Sequence, residues 1–440
     1  MTTNGRSATT ANLAVAKQGL REIELGLRAN LRQFIILAAV NLTVGGLVGL
    51  ERTTTPLVGK DVFHLSSSLS IFSFIVAFGA TKAITDLFTG PLTARYSKRS
   101  ILLVGWLIGA PVPLVLAYST HWWMIILANV ALGLNQGLTW SMTVNMKIDL
   151  VGPRQRGLAT GINEAAGYGA VGLTALITGY LASRYGLRPI PEIIGVAFVV
   201  LGFILSLTVK DTADHVAQES SRSAVGFAPN FNGSQGVSEH HSFRDIFWET
   251  TWRSKGLRGA SQAGFVSNLN DAVTWGVFPL LFTNHGLGLF AIGLIKGLYP
   301  LLWGLGQIPT GLVSDKIGRK PLITIGMAIQ SVALFLAIIL LKWPLLAGIV
   351  SSLLLGIGTA MVYPTLIAAV SDVVAPSNRS KSLGVYRFWR DLGYAVGAIT
   401  AGLISTFAGL NVSILIAAAI TGLSSLMALR WLPTPSRNSL

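Results

Sequence analysis

The sequence predicts an all-α membrane protein of twelve transmembrane helices arranged as two pseudo-symmetric six-helix bundles, and three observations predict it. Apolar residues fill 51% of the 440 positions against 12% charged, with a mean hydropathy of +0.61, too apolar for a chain that must present a solvated surface. The apolar residues gather into twelve runs, each near the ~20 residues that span a hydrocarbon core. Two short basic hairpins, Gly90 to Leu102 (GPLTARYSKRSIL) and Gly311 to Leu322 (GLVSDKIGRKPL), stand between apolar runs ~220 residues apart; glycines allow the reversal there and Lys and Arg favour the cytoplasmic face.

Residues 1–32 form a cytoplasmic N-terminal segment with no apolar core long enough for a cleaved signal. Leu20, Ile23, Leu27 and Leu31 recur at helical spacing among Arg21, Glu24, Arg28 and Arg32, which predicts an amphipathic helix on the membrane surface. The spans are predicted at 33–56, 67–91, 100–118, 122–146, 155–182 and 190–209 for an N-terminal bundle over 33–209. Those at 259–283, 287–313, 320–341, 344–370, 382–405 and 409–431 build a C-terminal bundle over 259–431, followed by a cytoplasmic tail, 432–440. Between them, 210–258 is polar with a Gly/Ser/Asn-rich centre and reads as a cytoplasmic linker. In it Ser242, with Asp245 three residues on, resembles a helix cap, and Phe243, Ile246 and Phe247 are placed on one face of a short surface helix.

The net charge of +15 does not imply nucleic acid, because the basic residues flank the apolar runs. Assigned to alternating loops, most of the 33 Lys and Arg, Lys147 among them, fall on the side of the N-terminus; only Lys60, Arg184, Arg188 and Lys342 fall opposite. By the positive-inside rule both termini are cytoplasmic. A second repeat supports two related halves: Asp149-Leu-Val-Gly-Pro-Arg-Gln-Arg156 matches Asp372-Val-Val-Ala-Pro-Ser-Asn-Arg379, and Glu164-Ala-Ala-Gly167-Tyr168 aligns with Arg390-Asp-Leu-Gly393-Tyr394.

With these residues in view, the chain resembles the major facilitator superfamily of secondary transporters, whose signature loop between helices 2 and 3, repeated between 8 and 9, reads G-x-x-x-D-R/K-x-G-R-R/K. The second hairpin matches through Gly311, Asp315, Lys316, Gly318, Arg319 and Lys320; the first keeps Gly90, Arg95, Lys98 and Arg99 but has Ala94 for the acid and Ser97 for the second glycine. The resemblance implies two bundles rocking about a midplane substrate site, with both hairpins as gating elements. Other family motifs are incomplete. Gln136-Gly137 is present in helix 4, but Gly133 stands where proton-linked members often carry arginine, and helix 5 has no Gly-Pro pair. Both departures weaken a multidrug-efflux reading.

Ionisable side chains inside a bilayer are costly and are retained where they meet a cavity or a partner. They are Glu51 and Arg52 in helix 1, Lys82 and Asp86 in helix 2, Glu164 in helix 5, Asp271 in helix 7, Lys296 in helix 8, and Arg387, Arg390 and Asp391 in helix 11. Helices 3, 6, 9 and 12 have none in their interiors, and in the resembled fold those four stand outside the cavity. At ~1.5 Å per residue, Glu164, Asp271, Lys296 and Arg390 lie ~14–18 Å deep, near mid-membrane. Glu51 and Arg52 fall near the outer end, Lys82 and Asp86 toward the inner one. Lys82 with Asp86 and Arg387 with Asp391 are four apart, so each pair can neutralise itself; Glu164 and Arg390 are expected to pair across the halves or to serve substrate or proton directly. Asn135, Gln136 and Trp140, Asn268 and Trp275, and Lys296, Tyr299 and Trp303 supply amides and aromatics suited to an amphipathic ligand, although the same residue types also pack and anchor helices.

All six histidines fall in predicted loops and there is no cysteine, so no intramembrane metal site and no cofactor are expected. Gly167-Tyr-Gly169-Ala-Val-Gly172 copies a dinucleotide fingerprint but lies inside an apolar helix, and no HExxH, GxSxG or Walker sequence occurs, so enzymatic activity is not expected. The expected protein is a monomeric, proton-coupled transporter in the plasma membrane. It would carry a small organic anion or zwitterion, with Lys296, Arg387 and Arg390 binding it and Glu164, Asp271, Glu51 and Asp391 moving protons or forming a charge network. An uncoupled facilitator or anion exchanger, a multidrug antiporter and a non-transporting sensor are the alternatives.

Overall fold

The computed structural model describes residues 24–152, 155–218, 242–374 and 379–433, and helices are the only regular secondary structure among them. Twelve are long: α1 (Leu31–Glu51), α2 (Ser68–Arg95), α3 (Lys98–Gly109, resumed over Val112–Tyr118), α4 (Trp122–Val151), α5 (Arg156–Tyr185), α6 (Ile190–Thr208), α7 (Lys255–Asn284), α8 (Leu289–Ile317), α9 (Arg319–Ile339), α10 (Pro344–Val373), α11 (Arg379–Ala408) and α12 (Leu410–Trp431). Ten are long and apolar enough to cross a membrane; α4 and α7 are long enough but too polar. Their polar residues turn inward: Asn129, Asn135, Gln136 and Lys147 of α4 and Asn268, Asn270 and Asp271 of α7 are all buried. Apolar side chains such as Leu107, Ile204, Leu305 and Ile325 cover the outside.

Several helices run past their predicted apolar stretches, α4 to Val151 and α10 to Val373, because helix continues after the composition turns polar. The opposite holds in α1, which stops at Glu51 rather than at 56. A turn through Arg52–Thr54 leads into Thr55–Leu57, with Pro56 in its first turn, and then a π-helical turn over Val58–Val62. This break decides where two charged side chains point.

The amphipathic N-terminal helix was expected on residues reaching back to Leu20, of which 1–23 lie outside the described residues. Residues 27–30 form a turn, pinned by Gly26 N donating to Leu150 O at 2.9 Å and Leu27 N to Gln155 Oε1 at 2.8 Å. The linker centre, 219–241, and the tail beyond 433 also lie outside. A short helix does follow Ser242, over Phe243–Trp248, but Ser242 caps it without a side-chain bond. Ile246 is buried and Phe247 meets Phe388 and Trp389, whereas Phe243 is exposed.

Two helix pairs join the first six helices to the last six, α5 with α8 and α2 with α11. Glycine makes both possible. A Cβ on Gly172 would lie 2.5 Å from Gly297 O, one on Gly179 would meet Gly293, and one on Gly79 would lie 2.5 Å from Tyr394. Backbones that close leave little room between the halves, which is the setting of the site.

Candidate functional site

Charged side chains from both halves converge on the space between them. Arg52 leaves the broken end of α1, donates from Nη1 to Asp271 Oδ1 of α7 at 2.6 Å, and lies 4.1 Å over the Trp275 ring. Tyr394 of α11 donates its hydroxyl to the other Asp271 oxygen at 2.7 Å. One turn along, Lys82 of α2 sits between Asp86 Oδ2 at 2.6 Å and Asp391 Oδ2 of α11 at 2.7 Å. Asp391 accepts further bonds from Arg390 Nε and Nη2 (2.7 and 2.8 Å) and Asn268 Nδ2 (3.0 Å), while Ser141 donates to Asp86. Arg390 Nη1 donates to the Tyr363 hydroxyl. Each carboxylate thus stands behind a cation, an arrangement that offsets much of the cost of burying them.

These groups surround a cavity of about 20 Å³, space for about one water molecule. Val48, Arg52, Phe78, Lys82, Trp140, Tyr168 and Val171 line it from the first half, and Tyr363, Arg390 and Tyr394 from the second. Three of these are cations and five carry aromatic rings. Tyr168 stacks on Trp303 with centroids 3.5 Å apart, and Trp303 lies 5.3 Å from Tyr363, which extends the aromatic wall into α8. Little space is left at the centre.

Of the residues proposed from the sequence, Trp140 and Arg390 line the cavity. Asp271 and Asp391 stand one bond behind it and Asn268 one further, through Asp391; Glu164 is also one bond behind, accepting from Trp140 Nε1 at 2.9 Å and from Asn163 Nδ2 at 3.0 Å. Tyr299 packs on Trp303, and Trp275 donates Nε1 to the Glu51 carbonyl at 3.1 Å. The expected Glu164–Arg390 pair is not formed, because Asp391 beside Arg390 takes the guanidinium first. The expected Arg387–Asp391 pair is not formed either; Asp391 is engaged by Arg390 and Lys82, and Arg387 is half-buried away from it. Lys296 donates to Thr274 O at 3.0 Å and does not line the cavity. Asn135 bonds Gly105 O and Gln136 bonds Val44 O, so both tie α4 to its neighbours.

Lys147, assigned from sequence to a loop, is fully buried and donates to Asn163 Oδ1 at 2.5 Å. α6 was expected to carry no interior charge, yet Glu192 in its first turn is 2% exposed and bonded by Thr54. Glu51 is fully buried on the far side of the α1 break from Arg52, held by Asn129.

Arg52 and Lys82, named from the sequence only among the membrane charges that mark a cavity, line it, whereas Phe78, Tyr168, Tyr363 and Tyr394 are not among the residues proposed for the site. The repeat had marked two of them: Gly167-Tyr168 and Gly393-Tyr394 occupy matching places in α5 and α11. In each the glycine admits a neighbouring helix and the tyrosine reaches the centre.

Both hairpins are held alike. Lys98 Nζ pairs with Asp149 Oδ2 at 2.5 Å and Arg319 Nε with Asp372 Oδ2 at 3.1 Å, each acid lying at the end of the next helix. Arg99 adds bonds to Leu207 O and Asp211, and Arg319 one to Ser314. Gly318 has φ +91° and ψ 164°, open only to glycine, whereas Ser97 at the matching place has φ −63° and caps α3 through Ser100 N. Gly90 and Gly311 meet nothing a Cβ would strike, and Arg95 is exposed at the end of α2. The Asp315 side chain lies outside the described ones.

The comparisons agree with this architecture. The Major Facilitator Superfamily model matches residues 34–266 and 260–440. The inner membrane transport protein YajR of Escherichia coli is 29% identical over 34% of this chain and 33% of its own length, so that match spans about a third of the relative. The arabinose-proton symporter of Bacillus subtilis is 23% identical over 94% of this chain and 95% of its own. A solved POT family transporter in complex with a thioalcohol-conjugated peptide superposes with a TM-score of 0.69 at 14% identity, covering 91% of this chain and 96% of that one, a likeness of fold. The chain is a membrane transporter belonging to the Major Facilitator Superfamily.

Proposed function

We propose that the protein is a secondary transporter moving a small organic anion by alternating access, coupled to protons, as a monomer in the plasma membrane with both termini cytoplasmic. The observation that carries the reading is the convergence of Arg52, Lys82 and Arg390 on one cavity walled by Phe78, Trp140, Tyr168, Tyr363 and Tyr394. In this structure their charges are met by Asp271, Asp86 and Asp391. An entering anion competes for the cations as the halves part, and the aromatic faces take its apolar portion. A neutral sugar has no use for three cations, so the relative named as an arabinose-proton symporter supports the coupling more than the cargo. Asp271 and Glu164, each one bond behind the lining, are the candidates for moving the coupling proton near the cargo; Asn268 orients Asp391.

A thermal-shift screen of carboxylates, phosphate esters, zwitterions, neutral sugars and organic cations against purified protein tests the cargo class. Stabilisation by one or more anions, lost in Arg390→Gln and Lys82→Gln, is expected. Stabilisation by cations or neutral compounds alone, unchanged in both variants, refutes it.

A further inference from the structure

The charges at the centre are matched, but a second group of carboxyls is not. Glu51 and Glu192 are 0% and 2% exposed and form no ion pair among the described residues. Each has one oxygen held by a single neutral donor: Asn129 Nδ2 to Glu51 Oε1 at 3.1 Å, and Thr54 Oγ1 to Glu192 Oε1 at 2.9 Å. The other oxygen of each, Glu51 Oε2 and Glu192 Oε2, has no hydrogen-bond partner among the described residues, and neither has Asn129 Oδ1 on a fully buried amide already bonded to Glu51. The charge of Glu192 bears on Glu51; the cations that reach the two are Arg52, next in sequence to Glu51, and Arg188, which acts on Glu192 from the loop before α6. Asn129 is bonded to Glu51, and Thr54, which holds Glu192, lies three residues past Glu51 at the α1 break, so the orphaned acceptors belong to one buried end of the first bundle, where a proton would supply the donor they lack.

We propose that Glu51 and Glu192, with Asn129, form a proton-binding site that holds one exchangeable proton outside the substrate cavity. The proton makes one orphaned carboxyl oxygen a donor to another acceptor and removes one of two buried like charges. When it leaves for the aqueous phase, the hydrogen bond it made is lost and a carboxylate remains one residue from Arg52. Glu51 is the last residue of α1 and Arg52 the next, so that carboxylate is one residue from the Arg52–Asp271 pair, with Trp275 bonded to the Glu51 carbonyl and packed on Arg52. Proton loss therefore draws Arg52 away from Asp271, loosening a bond that joins the halves. The inference rests on the proton-coupled reading above and gives it a site other than Asp271 and Glu164.

Infrared spectroscopy of the purified protein at neutral pH tests it without any cargo. A protonated-carboxyl band that shifts in D2O is expected in the wild type and is lost in both Glu51→Gln and Glu192→Gln. A band unchanged in both variants overturns the proposal, as does a band displaced by millimolar Na+ at fixed pH, which would make the oxygens a sodium site. Should neither variant fold, carbodiimide labelling of the wild type mapped by peptide mass spectrometry decides: adducts on Glu51 or Glu192 support the site and their absence refutes it. If the transport reading is what fails, flux is missing while the band behaves as described; if only this inference fails, flux remains and the band ignores both variants.

Discussion

Asp391 carries more of the centre than any other side chain, accepting from Arg390, Lys82 and Asn268. Replacing it with Asn leaves two buried cations with Asp86 as their nearest acid, and stripping one partner from a buried pair costs about 3–5 kcal/mol. Asp391→Asn is expected to lower the melting temperature in detergent far more than Asp86→Asn, after which Lys82 keeps Asp391; equal losses would place the weight elsewhere. His215 offers a residue-scale test outside the membrane. Its Nε2 meets Asn30 Oδ1 at 3.2 Å, and burial pulls its pKa below the usual 6.5, against the pull of Asp149 and Asp214. A histidine with a depressed folded pKa binds fewer protons folded than unfolded, so its contribution is complete above about pH 6.5 and is lost as pH falls below it. Melting temperatures should drop from pH 7 to 5.5 more steeply in the wild type than in His215→Gln; parallel curves would contradict this.

At the scale of elements, the hairpins separate what composition reveals from what backbone geometry adds. The basic loops, the repeat and the helix-length apolar runs were readable because bilayer thickness and the preference of Lys and Arg act directly on composition. Which helices are core was less readable. α4 and α7 fall short of a membrane-spanning composition because their polar residues face protein, and sequence alone does not say which way a side chain turns. Pairing was the least readable. Lys82 was expected to satisfy itself with Asp86 and does, but it also bridges to Asp391, a partner 309 residues away. The degenerate first hairpin has a backbone reason. Gly318→Ala forces a side chain into the glycine-only conformation at φ +91° and should cost about 1–3 kcal/mol. Ser97→Ala loses only a cap, about 0.5–2 kcal/mol. Denaturation midpoints of the two variants check the order, and a larger loss for Ser97→Ala would contradict it.

For the whole molecule, transport requires the halves to part at one end while staying joined at the other. At the end opposite the hairpins Lys60 bonds Asn284 at 2.8 Å and the Ser67 and Thr406 hydroxyls lie 3.2 Å apart, each contact joining the two halves. The chain has no cysteine of its own, so a Ser67→Cys/Thr406→Cys pair can be oxidised without side reactions. The disulfide should abolish flux and a reductant restore it, whereas full flux through the cross-linked protein would mean that this end need not open. The most direct test of the central claim is uptake of labelled carboxylates and phosphate esters into proteoliposomes with an inward proton gradient, beside neutral and cationic controls, in the wild type and in Arg52→Gln, Lys82→Gln and Arg390→Gln. Saturable, gradient-driven entry of an anion, reduced at least tenfold in each variant, is the predicted result. Uptake confined to neutral or cationic compounds and indifferent to the three substitutions would contradict it.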